Sequence, residues 1–198
     1  MKNSKKIIKA ILFDMVGVLI FKKLNYSASS KDEINADKIE KLYNHIDDQK
    51  LLADVKENLD LKEEDLQKAL HCIPGKYEKF PKIWELLPNL KNNFKLAVIN
   101  NGNALAKKYW NEKFDFSVFN IFIRSAEEKI KKPDPKIFLI TCARLGVKPE
   151  ECLFMDDSLD NIQAAEKLGM ETIWWDKEKK REKLLDKFKD LIKTISNL

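Results

Sequence analysis

Ile11-Leu12-Phe13-Asp14-Met15-Val16-Gly17-Val18-Leu19 is an apolar run interrupted by one acid, with a glycine three residues after it. A run of this kind fits a strand buried on both faces, as in a parallel sheet, that delivers one carboxylate at its end. Reactive groups of open α/β sheets collect beyond the carboxyl ends of the strands, so Asp14 is the first candidate for chemistry. Aspartate in such a place also serves as a helix or turn cap, and the motif alone leaves that reading open.

Outward from this strand, residues 21–30 are polar and irregular. From 31 to 72 the pattern is helical: Ile34, Ile39, Leu42, Tyr43 and Ile46 recur at three-to-four spacing, then Leu51, Leu52, Val55 and Leu59. Leu66, Ala69 and Leu70 follow a helix start at Leu61-Lys62-Glu63-Glu64, and no strand-like alternation interrupts them. The pattern predicts a small α-helical cap over 21–79, inserted after the first strand of a core formed by 1–20 and 80–198. Beyond it, a helix is expected over 81–89 with Ile83, Trp84, Leu86 and Leu87 as its buried stripe. A strand over 95–99 stops at Asn100-Asn101-Gly102, a helix fits 104–114, and a strand fits 119–123.

Lys132-Pro133-Asp134-Pro135 breaks the chain, and Ile137, Phe138, Ile140, Thr141 and Leu145 mark a helix ended by Gly146. A strand over 152–155 runs into Asp156-Asp157-Ser158. A helix over 161–168 stops at Gly169, a strand spans 171–175, and 177–198 is a charged amphipathic helix with Leu184, Leu185, Phe188, Leu191 and Ile192 on one side. Trp174 and Trp175 are expected on opposite faces of the sheet. Strands alternating with helices at these lengths predict an α/β fold: a Rossmann-like three-layer α/β/α core with a mostly parallel, five-stranded sheet.

Composition narrows the function. With 198 residues, 44% of them hydrophobic, the chain can bury one good core and a small appended module. The net charge is +5, but arginine occurs only at 124, 144 and 181, and Lys and Glu are interspersed. That distribution describes a solvated surface rather than a nucleic-acid interface. Cys72, Cys142 and Cys152 form no C-x-x-C pair, and His45 and His71 are the only histidines, which excludes a zinc site or a disulfide framework and suggests a reducing compartment. Lys2, Lys5 and Lys6 before an apolar run imitate a signal peptide, yet Lys9 and Asp14 interrupt the run, no small-residue cleavage site follows, and the span is too short to cross a bilayer. A cytoplasmic protein without a membrane partner is expected. The oligomeric state is left open.

Four strand-end or loop signals stand in order: Asp14, Asn100-Asn101-Gly102, Lys132-Pro133-Asp134-Pro135 and Asp156-Asp157. At strand ends they would converge on one edge of the sheet. In this layout the chain resembles the haloacid dehalogenase (HAD)-like hydrolase superfamily, in its phosphatase-like members with a small helical cap. The motifs run from Asp14 to Asn161 and the fold pattern extends to Trp175. Where the family's first motif reads D-x-D-G-x-L, this chain reads Asp14-Met15-Val16-Gly17-Val18-Leu19. Its second motif ends in Asn100 rather than Ser or Thr.

The resemblance implies Mg²⁺-dependent hydrolysis of a phosphoryl ester or anhydride of a small metabolite. Asp14 would attack phosphorus and become an aspartyl-phosphate. Mg²⁺ would be held by Asp14, Asp157, the Val16 carbonyl and waters, with Asp156 acting through a water. Lys132 would neutralise the carboxylates and hold phosphoryl oxygens, while Asn100, Asn101 and Gly102 would bind the same oxygens from side chain and backbone. Val16 stands where the family's phosphatases keep a second aspartate as general acid, and loss of such a group typically costs about 10²- to 10⁴-fold in rate. Substrates with good leaving groups, acyl or aryl phosphates, suit that site. Two other readings stay open: a pseudoenzyme that binds a metal, ligand or partner, and a carbon–halogen or phosphonate hydrolase. The acidic pair disfavours metal-free dehalogenation, and phosphonate cleavage needs a Schiff-base lysine in the cap.

Overall fold

The computed structural model describes residues 7–42, 47–176 and 181–196. Its centre is β1 (Ala10–Phe13), all four residues of which are fully buried. β1 pairs in parallel on one side with β4 (Lys95–Asn100) and on the other with β6 (Cys152–Asp156). β5 (Ile121–Arg124) and β7 (Glu171–Trp174) close the edges, giving a five-stranded parallel sheet in the order β5-β4-β1-β6-β7.

The period of two along β1 sorts its side chains into two cores. Ile11 and Phe13 point into a layer with Leu96, Val98, Leu153 and Met155; Ala10 and Leu12 point into another with Ala97, Ile99 and Phe154. The first layer is covered by α4 (Pro81–Trp84), α5 (Leu87–Lys91) and α10 (Arg181–Ser196). The second is covered by α8 (Pro135–Leu145) and α9 (Leu159–Lys167). Burying side chains such as Ile11, Leu12 and Phe13 stabilises by roughly 1.5–3 kcal/mol each, so Leu12→Ala would remove about 2–5 kcal/mol.

The inserted segment carries α1 (Lys31–Lys41), α2 (Asp48–Leu59) and α3 (Glu63–Gly75), packed around Ala36, Ile39, Leu51, Val55, Leu66, Leu70 and Ile73. Ser30 and Glu33 close a capping box at the start of α1, and Asp47 caps α2 by accepting from Gln49 and Lys50. Tyr43 and Ile46, expected in this helical stretch, lie outside the described residues, as do His45, the basic residues Lys2, Lys5 and Lys6, and both ends of the 177–198 helix.

Several elements differ from expectation. β2 (Ile20–Lys22) and β3 (Tyr77–Lys79) form an antiparallel ribbon that ties the two ends of the insert together, although the pattern suggested no strand there. The single helix expected over 81–89 is two short ones, because Pro88 has no N–H to continue the first. α6 (Lys107–Lys113) starts later than expected. The preceding residues form a turn, since the Ala104 N–H donates to the Asp48 carboxylate and the Leu105 N–H to Asn103 Oδ1. Trp175 is 1% exposed and Trp174 37%, the opposite-face arrangement the strand predicts. No helix among the described residues is long and apolar enough to cross a membrane.

Candidate active site

Asp14 follows β1, Asn100 ends β4, Asp156 ends β6, and Lys132 enters from the loop between the short helix α7 (Ser125–Glu128), which follows β5, and α8. Parallel pairing places these strand ends side by side, so residues over a hundred positions apart meet at one edge. Lys132 is 2% exposed. Its ammonium donates to Asp14 Oδ1 at 2.6 Å, to Asp156 Oδ2 at 2.7 Å and to the Ile99 carbonyl at 2.7 Å. Three acceptors match the three N–H groups of an ammonium, which makes the Lys132 head group fully satisfied without water.

The Lys132 backbone is fixed independently. Asn101 donates its amide to the Lys132 carbonyl and accepts from the Lys132 N–H, both at 2.8 Å. The Asn101 side chain therefore positions the lysine. Gly102 is held in turn by Ser125, whose hydroxyl accepts from the Gly102 N–H at 3.0 Å. A Cβ on Gly102 would overlap the Asn100 side-chain amide, so glycine is needed there for Asn100 to fold over the loop.

Asp156 is fully buried and both its oxygens are engaged: Oδ2 by Lys132, and Oδ1 by the Ser158 N–H at 2.8 Å and the Asn161 amide at 3.0 Å. Asp157 packs over Gly17, which has φ +106°; a Cβ there would overlap the Asp157 carboxylate. Trp174 donates its indole N–H to the Asp157 carbonyl at 3.2 Å. Val16, between Asp14 and Gly17, is 38% exposed and brings no ionisable group to the edge.

Asp14 and Asp156 thus bring two carboxylates onto one ammonium, with the charge of Asp157 acting on Asp14. Burial pushes the Asp14 carboxyl from 3.8 up to about 7; Lys132 opposes that rise, and Asp156 and Asp157 reinforce it. Burial draws the Lys132 ammonium down, but Asp14 and Asp156 outweigh it and hold the group above its ordinary value. The residual negative charge and hard oxygen donors suit a small divalent cation. No three His, Cys, Asp or Glu side chains among the described residues are grouped so as to hold an ion by themselves, so carbonyl and water oxygens would complete the shell, as Mg²⁺ tolerates.

The structure thus brings Asp14, Lys132 and Asp156 into one bonded cluster, with Asp157 against the turn that follows Asp14. Asn161, Ser125 and the Ile99 carbonyl are site components for which the sequence reading had no role. Only Asn161 left a signal, three residues into α9 after the N-cap Ser158, where its side chain turns back toward the strand end.

A family profile described as haloacid dehalogenase-like hydrolase matches residues 8–169. Glyceraldehyde 3-phosphate phosphatase of Methanopyrus kandleri is 36% identical over 111 residues, 53% of this chain and 47% of that one. The chain spans about half or less of the length of the first curated relatives it matches. Among solved structures, a predicted HAD-like family hydrolase from Porphyromonas gingivalis superposes with TM-score 0.72 at 22% identity, over 94% of this chain and 98% of that one. A HAD-family enzyme from Bacteroides thetaiotaomicron, in complex with magnesium and inorganic phosphate, superposes with TM-score 0.67 at 22% identity, over 84% and 93%. At those identities the two structures speak to the fold.

Proposed function

The chain belongs to the haloacid dehalogenase-like hydrolase family, and on that premise we propose that it is a Mg²⁺-dependent phosphatase of small phosphorylated metabolites acting through a phosphorylated Asp14. The observation that carries this reading is the bridge of buried Lys132 between Asp14 and Asp156 at the carboxyl edge of the sheet. Both acids are nearly dry there and stand at the strand ends, and burying them has no packing benefit over apolar residues, which supports a ligand-handling role. The insert over 21–79 serves in this reading as the cap that shapes the substrate space.

Lys132 holds Asp14 Oδ1, which leaves the second carboxylate oxygen to attack phosphorus. The new bond is Asp14 O–P, and the bond that breaks joins phosphorus to the leaving oxygen. Water then attacks the phosphorus and restores the carboxylate. Mg²⁺, when bound, neutralises phosphoryl charge and polarises a phosphoryl oxygen; Asp14, Asp157 and the Val16 carbonyl would hold it, with Asp156 at most through a water. Asp156 orients Lys132, and Asn161 and Ser158 fix Asp156. Asn100 donates its amide to a phosphoryl oxygen.

Val16 gives no proton to the departing oxygen, so the leaving group must be stable as an anion. Aryl and acyl phosphates meet that demand better than alkyl esters such as glyceraldehyde 3-phosphate, the substrate in one relative's name. The test is phosphate release over an acyl, aryl and alkyl series by wild type and Val16→Asp. Wild type should favour acyl and aryl compounds, and Val16→Asp should raise alkyl turnover by about 10²-fold or more. Equal wild-type rates on all three classes would refute the leaving-group argument.

A further inference from the structure

Cys142 lies on the buried face of α8 and Cys152 opens β6, and their sulfurs are 3.7 Å apart. The residues are 2% and 0% exposed. Their separation in sequence matches no short cysteine motif, so only the packing of helix on sheet reveals the pair. A disulfide bond is about 2.05 Å long, so the sulfurs need to approach by less than 2 Å to be joined. We propose that Cys142 and Cys152 are an oxidisable staple: two free thiols that a two-electron oxidant, a peroxide or a small disulfide, converts to one intrachain disulfide joining α8 to β6.

The surroundings give the two sulfurs different parts. Cys152 donates to the Lys148 carbonyl at 3.3 Å, which helps keep its proton in place. The neighbouring Cys152 thiol lowers the Cys142 pKa, while contact with Cys142 and burial raise that of Cys152. With the Cys152 proton directed at the Lys148 carbonyl, Cys142 is the sulfur placed to attack first. With a peroxide, the Cys142 thiolate attacks one oxygen, the O–O bond breaks, and a sulfenic acid forms as hydroxide leaves. The Cys152 sulfur then attacks the Cys142 sulfur; the S–O bond breaks, and the hydroxyl departs with the Cys152 proton as water. Two thiols lose two electrons, and the peroxide is reduced to two waters.

The position matters for stability rather than for chemistry at the site. Cys152 begins the strand that Asp156 ends, and α8 follows the loop that carries Lys132. The bond would tether those two elements at the edge of the sheet away from Asp14. It closes a short loop that contains the 3-10 turn Pro149–Glu151, and a short-loop disulfide restricts the unfolded chain.

The experiment treats the folded full chain with hydrogen peroxide or diamide, alkylates the remaining thiols after denaturation, and maps the peptides. The expected result is one Cys142–Cys152 cross-link, a Tm roughly 5 °C above that of the reduced protein, and the same behaviour in Cys72→Ser. Cys142→Ala should lose both the cross-link and the Tm gain. If that variant fails to fold, mapping in Cys72→Ser still decides the matter. The proposal is overturned if the treated protein keeps Cys142 and Cys152 fully alkylatable, or if its oxidation falls on Cys72 or links separate chains.

Discussion

Lys76 and Lys132 are both buried, at 0% and 2% exposure, and each is clasped by two carboxylates. Lys76, where α3 runs into β3, meets Asp37 and Glu40 at 2.5 Å each; Lys132 meets Asp14 at 2.6 Å and Asp156 at 2.7 Å. The partners differ more than the lysines do. The side chains of Asp37 and Glu40 keep 33% and 18% of their exposure, whereas those of Asp14 and Asp156 keep 11% and 1%. In the insert the lysine is dry but its acids reach water, and Tyr77 adds a hydroxyl bond to Glu40. At the sheet edge the acids are dry as well, with Asp157 beside them. The same ion triad therefore ties α1 to α3 within reach of water in one place and holds its acids dry at the strand ends in the other.

The largest effect expected is that of Lys132→Met. It removes the cation from two buried carboxylates, so urea unfolding should show a loss of about 3–5 kcal/mol, and phosphate release should fall by about 10³-fold. A variant of wild-type stability would break the comparison at its stronger end.

Next is the pH dependence of the metal-free protein. The folded pKa of Asp14 is about 7 against an ordinary 3.8, so between those values the folded state binds more protons than the unfolded one. Stability therefore falls as pH rises from about 4 to 7. Mg²⁺ answers the same charge, so it should raise Tm more at about pH 8 than at about pH 5.5, as thermal melts would show. An equal rise at both would mean that Asp14 is not part of the cation site.

Lys76→Met should be milder, because Asp37 and Glu40 can turn to solvent. We expect a loss of about 1–2 kcal/mol with kcat within about 3-fold of wild type. Loss of turnover without loss of stability would instead give Lys76 a chemical role, as a phosphonate hydrolase requires. The smallest effect is that of Ser30→Ala, which opens the capping box of α1 for about 1 kcal/mol and leaves turnover unchanged. Chemical denaturation measures it against Lys76→Met, the other substitution in the inserted segment.

The core was legible because its strands are buried on both faces. Ile11-Leu12-Phe13 and Leu153-Phe154-Met155 are unbroken apolar runs, and each ends in an acid. The β2–β3 ribbon was not, since its strands are three residues long and half exposed, with no alternation to read. Pro88 is the sequence signal for the split between α4 and α5, since it has no N–H to carry the first helix on. At the site, Asp14 and Asp156 could be picked out because each follows an apolar run, and Lys132 because it opens the Lys132-Pro133-Asp134-Pro135 break. Asn161 stood at the end of the fourth motif without a role, which its bond to Asp156 supplies, and Ser125 could not be picked out, because its importance is a hydrogen bond to distant Gly102. Lys76 looked like any other lysine of a lysine-rich insert, and the thiol pair depends on the docking of α8 against β6.

The most direct test of the central claim, that Asp14 is a nucleophile made ready by Lys132 and a divalent cation, is phosphate release from an acyl phosphate by wild type and Asp14→Asn, each with Mg²⁺ and with a chelator. Release by wild type that needs Mg²⁺ and disappears in Asp14→Asn is the predicted result. Release that persists in Asp14→Asn, or that the chelator leaves untouched, would contradict it.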